Sequence, residues 1–84
     1  MTRLKVLIVD DEDLARLRMR SLLADCAAPA VEVSGEAASA AEALHWLAGN
    51  SADLVLLDIN MPGLDGLQLA DRLRALPVPP KIVS

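Results

Sequence analysis

Two short apolar runs, each followed at once by aspartate, constrain the fold of this chain more than any other feature. The first covers residues 5–9 and leads into Asp10 and Asp11, and the second covers residues 53–57 and leads into Asp58. Unbroken apolar runs of this kind are typical of strands buried on both faces. Because parallel sheets covered by helices bury their strands in this way, the two runs predict an α/β fold.

Helical patterns separate the strands. Residues 14–26 carry an apolar stripe at helical spacing, which predicts a core-facing helix whose arginines lie on a solvated face. Ser39 and Glu42 have the spacing of a capping box, so a second helix should begin there and end near Gly49. A third helix is expected over residues 66–76. The apolar stripe of the first helix consists of Ala15, Met19, Leu22, Leu23 and Cys26, and the arginines of that helix are Arg16, Arg18 and Arg20.

A weaker strand over residues 30–36 and the beginning of a fourth apolar strand at residues 81–84 complete the pattern. The predicted element order is therefore β-α-β-α-β-α-β. Since crossovers between parallel strands are right-handed, this order indicates an open parallel sheet with helices on both faces. At 84 residues the chain can hold at most one small domain.

Charge and cysteine content narrow the classes of partner and compartment. The net charge of −4 argues against direct contact with nucleic acid or an anionic membrane, because no basic face is available to neutralise phosphates. No apolar stretch approaches the roughly 20 residues of a membrane-spanning helix. A single cysteine, Cys26, cannot form an internal disulfide, so a reducing cytoplasm is the expected location.

The aspartates after the strands are the candidate functional residues. In open parallel sheets, ligands bind outside the carboxyl ends of the strands, where the strand order reverses. If the first and third strands are neighbours, Asp10, Asp11 and Asp58 converge there, with Asn60 in the loop just after. Such a carboxylate cluster favours a hard cation, and Mg²⁺ fits because it accepts carboxylate and carbonyl oxygens beside a phosphate. With Mg²⁺ present, Asp58 is a candidate nucleophile towards phosphorus.

Structural roles for the same residues stay open at this point. Asp10 and Asp11 could cap the first helix, and Asp58 could open the turn before Pro62 and Gly63. The joint pattern favours a functional role, because both buried strands end in aspartate at the same predicted edge. A glycine-rich phosphate loop and a Cys or His metal cluster are both missing from the sequence, which argues against nucleotide and zinc chemistry.

These residues resemble a known family. Residues 6–12, VLIVDDE, resemble the first strand and acidic pair of the receiver domains of two-component response regulators. Residues 53–66, DLVLLDINMPGLDG, resemble the phosphoacceptor segment of that family. The resemblance covers essentially the whole chain and implies a flavodoxin-like receiver fold. It also implies a signalling module rather than an enzyme that turns over a metabolite.

Position by position, the resemblance implies a role for each acidic residue. Asp58 would accept the phosphoryl group from a sensor histidine kinase. Asp10, Asp11 and Asp58 would bind Mg²⁺, and the backbone carbonyl of Asn60 would complete the protein ligands. Residues 11–16 are similar to regulators whose output is a LytTR-type DNA-binding domain. A transcription regulator is therefore the expected parent protein.

The family pattern extends past the sequence given. Receivers continue with a hydroxyl residue closing the fourth strand, a helix, a fifth strand ending in lysine, and a last helix. Ser84 is the candidate hydroxyl residue, whereas Lys81 begins a strand instead of ending one. We therefore expect residues 1–84 to be a receiver domain truncated before its final helix, strand and helix. The fourth strand would then be an exposed edge, which is expected to favour a homo-oligomer.

Two other functions compete with phosphoryl signalling. A phosphatase of the haloacid dehalogenase type also attacks phosphorus with an aspartate after a buried strand. That chemistry needs a second carboxylate two residues on as general acid, and this chain has Asn60 there. A shortened receiver that no longer accepts phosphate, and serves only for oligomerisation or interaction, would keep the same acidic residues.

Overall fold

Strands and helices alternate along the chain in this computed structural model, which describes residues 3–26, 30–58 and 66–83, without the side chain of Cys26. The predicted order of elements is confirmed, and most ends differ by one or two residues from the predicted ones. The strands are β1 (Leu4–Val9), β2 (Val31–Ala37), β3 (Leu54–Leu57) and β4 (Lys81–Val83), and the helices are α1 (Asp13–Cys26), α2 (Ala40–Gly49) and α3 (Gly66–Arg74).

The four strands form one parallel sheet in the order β2-β1-β3-β4. β1 and β3 are therefore neighbours, with Val6 opposite Leu54 and Val9 opposite Leu57. The chain crosses from β1 out to β2 and then back to β3 on the other side of β1. This reversal places the topological switch point between the ends of β1 and β3, as predicted.

Two apolar layers cover the sheet. One layer joins alternate residues of β1 and β3, such as Leu7 and Val55, to the buried residues of α2 and α3, including Ala43, Leu69 and Leu73. Because successive side chains of a strand point to opposite faces, the buried Val6 and Ile8 belong to the other face. Helix α1 packs on that second face, over β1 and β2. The predicted helices on both faces are thus confirmed.

The capping box predicted at the start of α2 is present in modified form. The Ser39 hydroxyl accepts a hydrogen bond from the Glu42 amide at 3.1 Å. The Glu42 carboxylate accepts from the Ala38 amide at 3.3 Å, one residue before the position that the motif predicts. The helix ends at Gly49, and the Asn50 side chain donates to the Trp46 carbonyl at 2.9 Å.

The core-facing stripe predicted for α1 is only partly correct. Ala15 and Leu23 are half-buried, but Met19 is 36% exposed and Leu22 is 57% exposed. The reason is the position of the helix over β1 and β2. One flank of α1 faces away from those two strands, and Met19 on this flank borders an open cavity. The arginines of α1 do not all lie on a solvated face either, because the side chain of Arg16 is only 14% exposed.

A bulge in β2 changes which layer its residues join. Val6 lies opposite Val33, but Leu7 lies opposite Gly35, so Ser34 is an extra residue in the strand. Since paired residues of parallel strands share a face, Val31 and Val33 lie on the α1 side. Gly35 and Ala37 instead join Leu7 on the α2 side. This change brings Gly35 directly under Trp46 of α2.

Gly35→Ala is expected to destabilise the chain by about 1–3 kcal/mol, because an added methyl group overpacks this contact. A Cβ at this position would lie 2.6 Å from Cε2 of the Trp46 indole ring. Gly49→Ala is the matched control, since a Cβ there meets no atom within 4 Å. It should leave stability unchanged or raise it slightly. Urea unfolding followed by the fluorescence of the single tryptophan measures both, and equal effects of the two changes would contradict the contact.

Candidate functional site

The carboxyl ends of β1 and β3 hold the predicted acidic residues. Asp10 and Asp11 follow β1, and Asp58 follows β3. Main-chain hydrogen bonds continue the strand pairing beyond the last strand residues. The Asp10 amide donates to the Ala37 carbonyl and the Asp58 amide donates to the Val9 carbonyl, both at 3.0 Å. These bonds fix the backbone of both aspartates at one edge of the sheet.

The three carboxylates converge as predicted. One carboxylate oxygen from each of Asp10, Asp11 and Asp58 lies within 4.8 Å of the other two. Asp10 and Asp58 are half-buried, whereas Asp11 is exposed. Two like charges about 5 Å apart repel by roughly 3 kcal/mol at an effective dielectric constant of about 20, and less where water screens them. The site therefore favours a ligand that carries positive charge.

The donor set fits Mg²⁺. This ion binds oxygen ligands at about 2.1 Å, so oxygens on opposite sides of it lie about 4.2 Å apart. The separations of up to 4.8 Å between Asp10, Asp11 and Asp58 require a contraction of well under 1 Å. The fourth predicted ligand, the carbonyl of Asn60, lies outside the described residues, as do Pro62, Gly63 and Ser84.

Asp10 also has a structural role, as an Asx-turn that leads into α1. Its carboxylate accepts a hydrogen bond from the Glu12 amide at 3.0 Å, just before α1 begins. This bond orients the side chain and leaves the other lone pairs of the carboxylate for a cation, because an ionised carboxylate has about four acceptor sites. The structural and functional roles of Asp10 are compatible.

A cavity of about 250 Å³ opens beside the acidic residues. Asp10 and Asp58 form its polar end, while its remaining walls come from α1 and the sheet. The cavity therefore joins the acidic residues to an apolar wall. The apolar lining consists of Ile8, Val9, Ala15, Met19, Leu56, Leu57 and Val83.

Arg16 belongs to this site, although the sequence indicated only a solvated helix face. Its Nη1 donates to the Asp10 carbonyl at 2.6 Å, and the guanidinium also pairs with Asp13. Its Nε lies 3.4 Å from Oε1 of Glu36 in β2. Arg16 lies six positions after Asp10 in the sequence, so only the fold brings its side chain back to the end of β1. No pattern of apolar residues in the sequence could have indicated this contact.

Within the described part of the chain, no helix is both long and apolar enough to cross a membrane. The described helices instead pack on the sheet through one face each, as the apolar layers require.

The comparisons with known proteins identify one family. The model of the response regulator receiver domain family matches residues 6–84. The positive alginate biosynthesis regulatory protein of Pseudomonas aeruginosa is 45% identical over 80 residues, which are 95% of this chain and 32% of that protein. The response regulator UvrY of Escherichia coli K12 is 35% identical over 80 residues, which are 95% of this chain and 36% of that protein.

Solved structures give the same result for the fold. The signal receiver domain of the response regulator NarL from Mycobacterium tuberculosis matches with a TM-score of 0.85 and 33% identity. The match covers 98% of this chain and 64% of that one. The chain thus spans about a third of the length of the two regulators and about two thirds of the solved receiver domain.

These comparisons also bear on the finer prediction. The names NarL and UvrY give no support to the predicted LytTR branch. The broader prediction does not depend on the branch, because the family model covers nearly the whole chain. Together with the parallel sheet and the three converging aspartates at its switch point, it shows that this chain belongs to the response regulator receiver domain family.

Proposed function

We propose that this chain accepts a phosphoryl group on Asp58, with Mg²⁺ held by Asp10, Asp11 and Asp58. The observation that carries the proposal is the convergence of the three carboxylates within 4.8 Å at the ends of two neighbouring strands. A carboxylate cluster with this separation is costly without a cation and well suited to one. The backbone carbonyl of Asn60 is proposed as a further ligand from the resemblance to the family.

The proposed reaction is a transfer between two residues. A carboxylate oxygen of Asp58 attacks the phosphorus of a phosphohistidine in a sensor histidine kinase. An acyl phosphate bond forms as the phosphorus–nitrogen bond breaks, and the bonding electron pair returns to the imidazole nitrogen. Mg²⁺ held by Asp10, Asp11 and Asp58 would offset the negative charge that the phosphoryl oxygens carry during transfer.

Asp10 has two parts in this scheme. Its carboxylate supplies an oxygen ligand, and its backbone amide, bonded to the Ala37 carbonyl, holds the end of β1 to β2. Asp11 supplies the more exposed ligand, from the side open to solvent. The kinase and its phosphohistidine are expected to approach from that open side, in the cytoplasm.

The phosphorylated chain is proposed to act within a longer regulator that controls transcription. A net charge of −4 argues that this segment itself does not contact DNA. An output of the LytTR kind, which residues 11–16 resemble, gains no support from the names NarL and UvrY. That residues 1–84 are a receiver domain cut before its last helix, strand and helix stays a prediction.

Incubation of the purified chain with Mg²⁺ and acetyl phosphate tests the proposal. We expect intact-mass analysis to show one added phosphoryl group, and hydroxylamine to remove it, because hydroxylamine cleaves acyl phosphates. The same sample with excess chelator in place of Mg²⁺ is the control. A folded chain that gains no phosphoryl group would favour the alternative, a receiver that serves only for interaction.

Association of two copies through β4 is a second proposal. Within the described residues β4 pairs on one side only, with β3. Val83 is 45% exposed and lines the cavity beside the acidic residues. An exposed strand edge with apolar side chains favours pairing with another chain. Analytical ultracentrifugation should therefore detect a dimer at micromolar concentration, and a monomer throughout would contradict this part of the proposal.

Asp11→Asn is expected to weaken Mg²⁺ binding about 10-fold or more, because the exposed ligand loses its charge. The same change should slightly raise the stability of the metal-free chain, since it removes repulsion within the cluster. Isothermal titration with Mg²⁺ and urea unfolding in chelator measure the two effects. Opposite signs are the signature of a cation site, and a loss of stability without Mg²⁺ would count against it.

A further inference from the structure

We propose that Arg16 is a positioning residue for the Mg²⁺ site. Its guanidinium holds the peptide bond between Asp10 and Asp11, so that both carboxylates face Asp58. The inference rests on the proposed function, because it concerns the affinity of the same site. It goes beyond that function in assigning a role to a residue of α1 that supplies no ligand.

The first argument is the contact itself. Nη1 of Arg16 donates to the Asp10 carbonyl at 2.6 Å, and that carbonyl belongs to the peptide bond joining the two proposed ligands. On the other side, the Asp10 amide donates to the Ala37 carbonyl at 3.0 Å. The main chain of Asp10 is therefore held from both ends. Rotation of the peptide would move the Asp11 carboxylate away from Asp58.

The second argument is the burial and orientation of Arg16. Its side chain is 14% exposed, although arginine side chains are mostly exposed in proteins. The guanidinium meets acceptors from three elements: the end of β1, Asp13 in the first turn of α1, and Glu36 in β2. Because the guanidinium is planar and rigid, several acceptors at once fix its direction.

Glu36 in turn is held by a second arginine. Arg20 donates to Oε2 of Glu36 through Nε at 2.9 Å and through Nη2 at 2.5 Å. Arg20 is 48% exposed and has no hydrogen bond to Asp10 among the described contacts. The two arginines thus share one carboxylate and carry the same charge, but only Arg16 bonds to the peptide of the ligands.

Charge and position predict opposite effects of Arg16 on the metal. A positive charge near the cluster repels Mg²⁺, so removing it would strengthen binding if charge alone mattered. Loss of the hydrogen bond to Asp10 would weaken binding, because residues that orient metal ligands typically contribute about 10- to 100-fold to affinity. The sign of the change therefore separates the two roles.

The test compares Arg16→Met with Arg20→Met in the full 84-residue chain. Mg²⁺ affinity is measured by isothermal titration, and the fluorescence of Trp46 verifies folding. We expect the Kd for Mg²⁺ to rise about 10-fold in Arg16→Met. Arg20→Met, which removes an equal charge, should stay within about twofold of the unchanged chain. Arg16→Lys, which retains one donor group, should lie between the unchanged chain and Arg16→Met.

Each outcome has a separate meaning. Mg²⁺ binding that is unchanged or tighter in Arg16→Met overturns the positioning role, and so does an equal loss in Arg20→Met. Absence of binding to the unchanged chain overturns the proposed function itself. If Arg16→Met does not fold, Arg16→Gln replaces it, with the same expected rise in Kd and the same results against it.

Discussion

Asp58→Asn is expected to eliminate the phosphoryl adduct completely and to leave the chain folded. An amide cannot form an acyl phosphate, since its oxygen carries no negative charge and its nitrogen is not nucleophilic. The amide has nearly the shape of the carboxylate, and the backbone bond from the Asp58 amide to the Val9 carbonyl does not depend on the side chain. Intact mass after incubation with Mg²⁺ and acetyl phosphate measures the result.

Asp71→Asn is the matched control for this prediction. Asp71 lies on α3, is 79% exposed and pairs with Arg74 at 2.9 Å, so the change removes a carboxylate from the surface instead of the site. Its adduct should equal that of the unchanged chain. An adduct that persists in Asp58→Asn would mean that another carboxylate accepts the phosphoryl group, and the proposal for Asp58 would be abandoned.

Leu73→Ala is expected to cost about 2–5 kcal/mol of unfolding free energy, because it leaves a cavity in the core. Leu73 is fully buried between α3 and the sheet, in the same cluster as Leu7 and Val55. A domain of this length has a total stability of roughly 4–13 kcal/mol. The variant should therefore lose a large share of its stability and unfold at a much lower urea concentration than the unchanged chain.

Leu67→Ala provides the comparison on the same helix. Leu67 is 65% exposed, so removing its side chain deletes little packing. Its effect should stay within about 0.5 kcal/mol. Urea unfolding followed by tryptophan fluorescence compares the two variants directly. Similar costs for Leu67→Ala and Leu73→Ala would mean that α3 does not pack on the sheet through the face described.

The sheet and its acidic edge could be predicted from the sequence because local signals determine both. Continuous apolar runs identify β1 and β3, and the aspartates follow those runs directly. The capping residues Ser39 and Glu42 likewise act over a few residues. Once β1 and β3 are neighbours, the convergence of their carboxyl ends follows from topology alone.

The remaining features depend on contacts between distant residues. Arg16 lies in a run of alternating arginines that resembles a solvated face, and its burial follows from the position of Glu36 on β2. The exposure of Met19 and Leu22 follows from where α1 crosses the sheet, which helical spacing does not determine. The bulge at Ser34 leaves no signal in the alternation of polar and apolar residues.

The bulge determines which face of the sheet the second half of β2 presents to each helix layer. Without the bulge, Ser34 would pair with Leu7, and the residues that follow would exchange faces. Glu36 would then point towards α2 and leave both arginines, while Ala37 would leave the core. A relative that is one residue shorter at this point would keep Glu36 on the α1 side with regular pairing, because Gly35 would still lie opposite Leu7. Gaps at Ser34 should therefore occur among relatives that keep both Arg16 and Glu36.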